Sequence, residues 1–169
     1  GKSDIWGIEF DGSFRLTDFA TLSGTAAWNH TEIKDYLCTA CAVFTGSTDV
    51  TGNPLGLAPE YTGSIALDLA DEFAGSDWRW FAHGDAVYRG KVHIDNYSDQ
   101  TIDDRTILNL RLGLGWQNIE MEGFVTNVTD DRSYESSTVQ NDYAAGRFSA
   151  FAFNVPQPRT FGARFRVEF

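Results

Sequence analysis

Side chains that switch between apolar and polar at every second position constrain this chain more than any other feature. A strand points successive side chains to opposite faces, so the pattern marks strands with one apolar and one polar face. At the end of the chain Phe161, Ala163, Phe165, Val167 and Phe169 alternate with Gly162, Arg164, Arg166 and Glu168. Leu108, Leu110, Leu112, Leu114 and Trp116 alternate with Asn109, Arg111, Gly113 and Gly115. Residues 78–93 place Trp78, Trp80, Ala82, Ala86, Tyr88 and Val92 on one face. The other face carries Arg79, His83, Asp85, Arg89, Lys91 and His93, with Phe81 and Val87 as exceptions. Three earlier stretches follow the same rule: Trp6 to Leu16, Ala20 to Trp28 and Tyr61 to Leu69. A further strand is expected near 119–129, but its facing stays open, because Glu120 and Glu122 share parity with Phe124 and Val128. The pattern predicts about seven strands, many close to the ~9–11 residues that cross a bilayer when tilted.

Composition removes several classes. Of the 169 residues, 24 are acidic and 13 basic, a net charge of −11, which argues against a nucleic-acid surface. Apolar runs such as Ala40–Phe44 fall far short of the ~20 residues of a membrane helix. No basic start followed by an apolar stretch marks a secretory signal, so any such signal is expected to have been removed or to lie upstream. With 42% hydrophobic and 14% aromatic residues, the chain is too apolar for a disordered tail.

Connections between the strands alternate in length. Short ones fall near Thr17–Phe19, 71–77 and Gln117-Asn118, and long ones over roughly 34–60, 94–104 and 130–157. Outer-membrane barrels keep this rule, with short periplasmic turns and long external loops. A soluble sandwich would alternate too, with one face in a core. Lipid is favoured by aromatics toward the ends of the apolar faces (Trp6, Trp28, Trp78, Trp80, Tyr88, Trp116 and Phe169). Small residues on those faces (Ala20, Gly24, Ala26, Ala82, Gly84 and Ala86) point the same way, because they would pack a core poorly. The fold class expected is all-β: an antiparallel transmembrane β-barrel segment. A small outer-membrane pore and a soluble β-sandwich carbohydrate-binding module remain alternatives.

Pro158-Arg159-Thr160-Phe161-Gly162-Ala163, alternating to Phe169, resembles the last strand of the TonB-dependent outer-membrane receptor family. Asn127-Val128-Thr129-Asp130, with Tyr134 following, resembles its Asn-Leu-x-Asp…Tyr motif, the tyrosine standing one residue later than is commonest. Gly52-Asn53-Pro54-Leu55…Ala58-Pro59 resembles a loop entering an earlier strand, and Gly7-Ile8-Glu9 a shared strand. The resemblance implies a large barrel of about 22 strands with a plug inside. It implies import of a scarce nutrient, most often a ferric siderophore, in the outer membrane of Gram-negative bacteria. Residues 1–169 would form a C-terminal part of that barrel without plug. Seven strands would leave two unpaired edges in lipid, so the rest of the barrel and plug are expected partners. Outer-membrane lipid and the barrel-assembly machinery are further expected partners. No nucleic acid, cofactor, metal or enzymatic activity is expected.

Candidate residues divide into five sets. Cys38-Thr39-Ala40-Cys41 could be redox-active or half a zinc site. No second pair exists, and an external loop in an oxidising compartment favours a disulfide between Cys38 and Cys41. His83, Asp85 and His93 are expected to line a lumen, and Asp95, Asp99, Asp103 and Asp104 to form a solvated loop rather than a calcium site. The last long loop, with Arg132, Tyr134, Tyr143, Arg147, Phe148, Phe151 and Phe153, is the candidate ligand-contact region, because exposed aromatics beside arginines could grip a siderophore or glycan. Thr160, Gly162, Phe165, Val167 and Phe169 resemble the signal read by the barrel-assembly machinery. Deleting Phe169 in the full-length receptor is expected to lower its yield in the outer membrane, measured as heat-modifiable barrel; an unchanged yield would remove the assembly role.

Overall fold

Each alternating stretch forms a strand, and each strand pairs with the next one that the chain reaches. The computed structural model describes residues 1–169 apart from 98, 99, 143, 145 and 146, with the backbone alone at 43–44, 139–142 and 147–151. Seven strands build one antiparallel sheet: β1 (Lys2–Arg15), β2 (Ala20–Asp35), β3 (Tyr61–Glu72), β4 (Trp78–Arg89), β7 (Arg105–Trp116), β8 (Ile119–Thr126) and β11 (Thr160–Val167). Two hairpins and one helical turn lie in the long connections: α1 (Ala42–Thr45), β5 (Val92–His93) with β6 (Thr101–Ile102), and β9 (Ser136–Asp142) with β10 (Arg147–Asn154). All three short turns fall at one end of the sheet and all three long connections at the other.

Register carries the sequence pattern across the whole sheet. Phe14, Leu22, Leu67, Gly84, Leu110, Val125 and Phe161 stand opposite one another in a single row through all seven strands. One residue on, Arg15, Thr21, Asp68, His83, Arg111, Phe124 and Gly162 form the matching row of the other face. A slip by one residue in β3, β4 or β7 would put a charged side chain, Asp68, Asp85 or Arg111, among the leucines. The register also settles the facing of β8: Ile119, Met121 and Val125 join the apolar face, and Glu120, Glu122 and Phe124 the polar one.

The apolar face is open. Leu112 is 66% exposed and Phe161 70%, and among the described residues no large side chain is fully buried. A sandwich would lay a second sheet over this face. Here the described residues place only the two-stranded hairpins beyond the main sheet. Rings gather at both ends of the face. Trp6 meets Trp28 edge-on at 4.8 Å toward the long-loop end, and Trp78 stacks on Trp116 at 6.0 Å toward the short-turn end. Amphipathic rings take this placement where hydrocarbon gives way to headgroups.

The polar face is fitted differently. The Phe81 ring lies over Gly113, and the Phe124 ring over Gly162, so a Cβ at either glycine would run into the ring. That explains Phe81, the apolar exception on a polar face. Arg164 meets Glu122, which is 8% exposed, at 3.1 Å, and Arg166 meets Glu120 at 3.9 Å across the β8–β11 seam. Beyond β11, Asn118 Nδ2 donates to the Glu168 carbonyl at 2.6 Å, and the Glu168 N–H donates to the Asn118 carbonyl at 3.0 Å, pinning the chain end to the last short turn.

Two expectations need correction. The stretch read as one strand over 78–93 stops at Arg89, because its partner β3 begins at Tyr61, whose carbonyl takes the Gly90 N–H at 2.8 Å as the last rung of the ladder. A Cβ at Gly90 would stand 2.9 Å from that carbonyl oxygen. Val92 and His93 therefore belong to the separate β5–β6 hairpin, so His93 does not share the strand of His83 and Asp85. The region 130–157, read as loop, contains the β9–β10 hairpin.

Leu112→Arg is expected to cost about 2–4 kcal/mol of barrel stability, since the position lies mid-strand on the apolar face. Chemical unfolding of the receptor in bilayers measures it. In a water-exposed sheet the same change would be close to neutral.

Candidate functional site

Beyond the apolar band, at the long-loop end, water is available and the contacts change character. β2 continues to Asp35, and the connection 36–60 folds back along it: the Ile33 N–H donates to Asn53 O at 2.9 Å and Gly52 N–H to Ile33 O at 2.8 Å. Ile33, Cys41 and Val50 form a small buried cluster with Cys38, Leu55 and Tyr97 packed against it. Cys38 and Cys41 are joined by a disulfide with Cα atoms 5.2 Å apart, so neither thiol is free for redox chemistry or metal.

Tyr97 belongs to the second connection, 90–104, so the cluster is shared by two loops. Asn96 fastens them further. Its carbonyl accepts from Asn53 Nδ2 at 3.0 Å and its Oδ1 from the Gly56 N–H at 2.6 Å. A Cβ at Gly56 would come within 2.8 Å of Asp95 Cα, so this approach requires glycine. Val92, Ile94 and Ile102 form a second small cluster beneath. Of the acidic run here, Asp95 accepts from the Tyr97 N–H at 2.9 Å, while Asp99 lies outside the described residues. Among the described residues no group of three or more His, Cys, Asp or Glu is placed to hold a metal ion.

On the polar face a chain of hydrogen bonds leads up to the third connection. His83 Nδ1 lies 2.6 Å from Asp68 Oδ1, and its Nε2 3.2 Å from Asp85 Oδ1, so one ring ties β3 to β4. Asn109 Nδ2 donates to Asp85 Oδ2 at 2.8 Å, and Asn109 Oδ1 accepts from the Asn127 N–H at 3.1 Å. Asn127 is 4% exposed and left-handed, at φ 51°, a conformation that asparagine tolerates better than most residues. Its Nδ2 donates to the carbonyls of Asp131 at 2.9 Å and Gln157 at 3.0 Å, while its Oδ1 accepts from the Asp131 N–H at 2.8 Å. One side chain thus gathers both feet of the 127–159 connection, which is the physical content of the Asn-Val-Thr-Asp motif.

Asp130 and Asp131 complete that base. The Arg159 N–H donates to Asp130 at 2.9 Å and Arg132 pairs with it at 3.0 Å, which together hold its carboxyl below the usual carboxylate range. Asp131 is lowered too, by hydrogen bonds from Ser133 first, then by the Arg105 charge and the Thr106 N–H, against the opposing effect of burial.

Two arginines face each other in register where β4 and β7 meet this base. Arg89 donates to three loop carbonyls: Glu135, Asp103 at 3.0 Å and Tyr134 at 3.3 Å. It therefore ties the second connection to the third. Arg105, beside it, pairs with the Glu135 carboxylate at 3.1 Å. Below them a cavity of about 300 Å³ opens between Arg105, Asn109, Thr126, Asn127, Glu135 and Gln157.

Of the candidate contact residues, Tyr134 stacks on Phe153 with centroids 4.4 Å apart, joining the base of the connection to β10. Arg132 serves Asp130 at the base. Arg147, Phe148 and Phe151 stand on β10 with their side chains outside what is described, and Tyr143 lies outside the described residues. In the last strand Phe165 and Val167 fall on the apolar parity and Thr160 and Gly162 on the polar one, while Phe169 is fully exposed. Sequence reasoning missed Arg89, Arg105, Glu135 and Asn96. Arg89 was visible only as a polar-face residue and Arg105 not at all, and their meeting depends on register.

The description "TonB dependent receptor-like, beta-barrel" matches residues 1–129. The ferric yersiniabactin uptake receptor FyuA of Yersinia pestis superposes with a TM-score of 0.78 at 18% identity, over 99% of this chain and 24% of that one. The siderophore receptor PiuA of Acinetobacter baumannii gives 0.71 at 14% identity, over 97% of this chain and 22% of that one. The chain thus spans about a quarter of the length of these solved receptors. At such identities the likeness is one of fold. No curated protein sequence matches.

Both lowered carboxyls lend support to the loop base above the ordinary carboxylate pKa and lose it as they are protonated. Hydrogen-exchange protection of 127–135 is therefore expected to be full near neutral pH and to fall as pH drops below ~4. Replacing Asp130 and Asp131 by Asn should flatten that profile.

Proposed function

Because this chain belongs to the TonB-dependent receptor β-barrel family, we propose that it is a C-terminal section, residues 1–169, of the wall of an outer-membrane receptor that imports a scarce nutrient, a ferric siderophore by preference. The family is one of transporters and receptors, not of enzymes. The observation that carries the reading is the seven-stranded antiparallel sheet with one apolar face exposed and the other polar and charged, linked by long loops at one end only. FyuA is named for the uptake of ferric yersiniabactin and PiuA as a siderophore receptor.

In this reading the apolar face meets outer-membrane lipid and the polar face lines the lumen. β1 and β11 are the edges of the sheet, and an edge in hydrocarbon needs a strand to pair with. The remainder of the barrel supplies those strands, and a plug fills the lumen. Thr160, Gly162, Phe165, Val167 and Phe169 present the end of β11 to the barrel-assembly machinery. The Tyr134–Phe153 stack, with Arg132, Tyr143, Arg147, Phe148 and Phe151 on the same connection, offers the ligand surface.

The test is growth of the native cell under iron limitation on a panel of ferric siderophores, with and without the intact receptor. Loss of growth on one siderophore, restored by the wild-type gene and reduced by Tyr134→Ala, is the expected result. Unchanged growth on every siderophore, with loss on another scarce nutrient, would keep the transporter and replace its cargo.

A further inference from the structure

The arginine pair at the head of the polar face has a partner that can be exchanged. Two carboxylates face Arg89 and Arg105, those of Asp131 and Glu135. Asp131 is fixed by backbone, accepting from the Ser133 N–H at 2.7 Å. Glu135 is held differently. Its carboxylate meets Arg105 at 3.1 Å, its side chain is 51% exposed, and the Arg105 side chain is only 13% exposed. A guanidinium largely withdrawn from water is thus neutralised by a carboxylate that stands half in it, at the wall of a cavity of about 300 Å³. A buried arginine left without an anion is costly, whereas a carboxylate returned to water is not. Glu135 can leave if another carboxylate takes its place.

We propose that Arg105 is a carboxylate-binding site, that an incoming ligand carboxylate displaces Glu135 from it, and that this displacement loosens the 127–159 connection at its base. The ligand group is a carboxylate because the chain's own carboxylate already fits the guanidinium. Asn109 and Asn127 line the same cavity, but the Asn127 amide is spent on the Asp131 and Gln157 carbonyls, so the guanidinium is the group that receives the ligand. Glu135 also places the carbonyl that Arg89 holds, and its N–H donates to Asn154 O at 2.9 Å at the foot of β9–β10. Moving Glu135 therefore disturbs the tie between the second and third connections and the first rung of the hairpin. The inference rests on reading this end as ligand-facing, but names a group and a residue exchange that the transport reading does not contain.

The test uses the full receptor in detergent or vesicles with succinate, a non-chelating dicarboxylate, as probe and sodium chloride at matched ionic strength as control. Calorimetry reads binding, and hydrogen exchange reads residues 136–154. Wild type should bind weakly. Glu135→Gln, which removes the internal competitor, should bind ~10-fold more tightly, and Arg105→Ala should lose binding. Succinate, but not chloride, should raise wild-type exchange toward the level that Glu135→Gln shows without it. Binding unchanged or weakened in Glu135→Gln, binding retained in Arg105→Ala, or an equal effect of chloride would each overturn the proposal. Succinate binding of this kind without siderophore uptake would retire the siderophore reading and leave the site standing; uptake without succinate binding would do the reverse.

Discussion

A strand in hydrocarbon has no water to satisfy its N–H and C=O groups, and that constraint organises everything between the two aromatic bands. Each strand of the sheet pairs with the next sheet strand, and the short turns keep neighbours antiparallel without loose backbone. The apolar side chains stand open and have no comparable task of packing together in the proposed setting, where lipid would receive them. That is why Gly84 can stand between Leu67 and Leu110 on the apolar face without a cavity penalty. The polar face is where close fitting occurs, with rings laid over Gly113 and Gly162 and charged pairs across the last seam.

At the long-loop end the balance reverses. Water is present, backbone is no longer forced into one continuous ladder, and order comes from a few side chains that each reach several groups. Asn96 joins the first and second connections, Arg89 the second and third, and Asn127 both feet of the third. The buried clusters there are small, and the disulfide reinforces one of them. Segments held by isolated polar ties open at lower cost than segments in a continuous sheet. The molecule thus combines a rigid wall with loops that a ligand can rearrange.

Much of the wall was legible in the alternation, since strand geometry makes every second residue share a face whatever surrounds it. The same reading faltered where local pattern and pairing disagreed. Residues 78–93 alternate apart from Phe81 and Val87, yet β4 ends at Arg89, where its partner β3 begins at Tyr61 and the ladder has no further strand to pair with. Glu120 and Glu122 share parity with Phe124 and Val128, and only the partners on β7 and β11 decide which face they join. The β9–β10 hairpin escaped notice because Ser137 to Asn141 lacks a regular apolar face.

By itself the sequence determined the strand class, the approximate strand number, the apolar and polar faces and the end at which the long connections lie. These follow from side-chain periodicity and turn chemistry, which act over a few residues. Tertiary structure alone decided that Arg89 and Arg105 would meet, that His83 would stand between Asp68 and Asp85, and that Asn96 and Glu135 would be fastening points. Those residues lie far apart in the chain. Strand register, which is a property of pairs, brings them together.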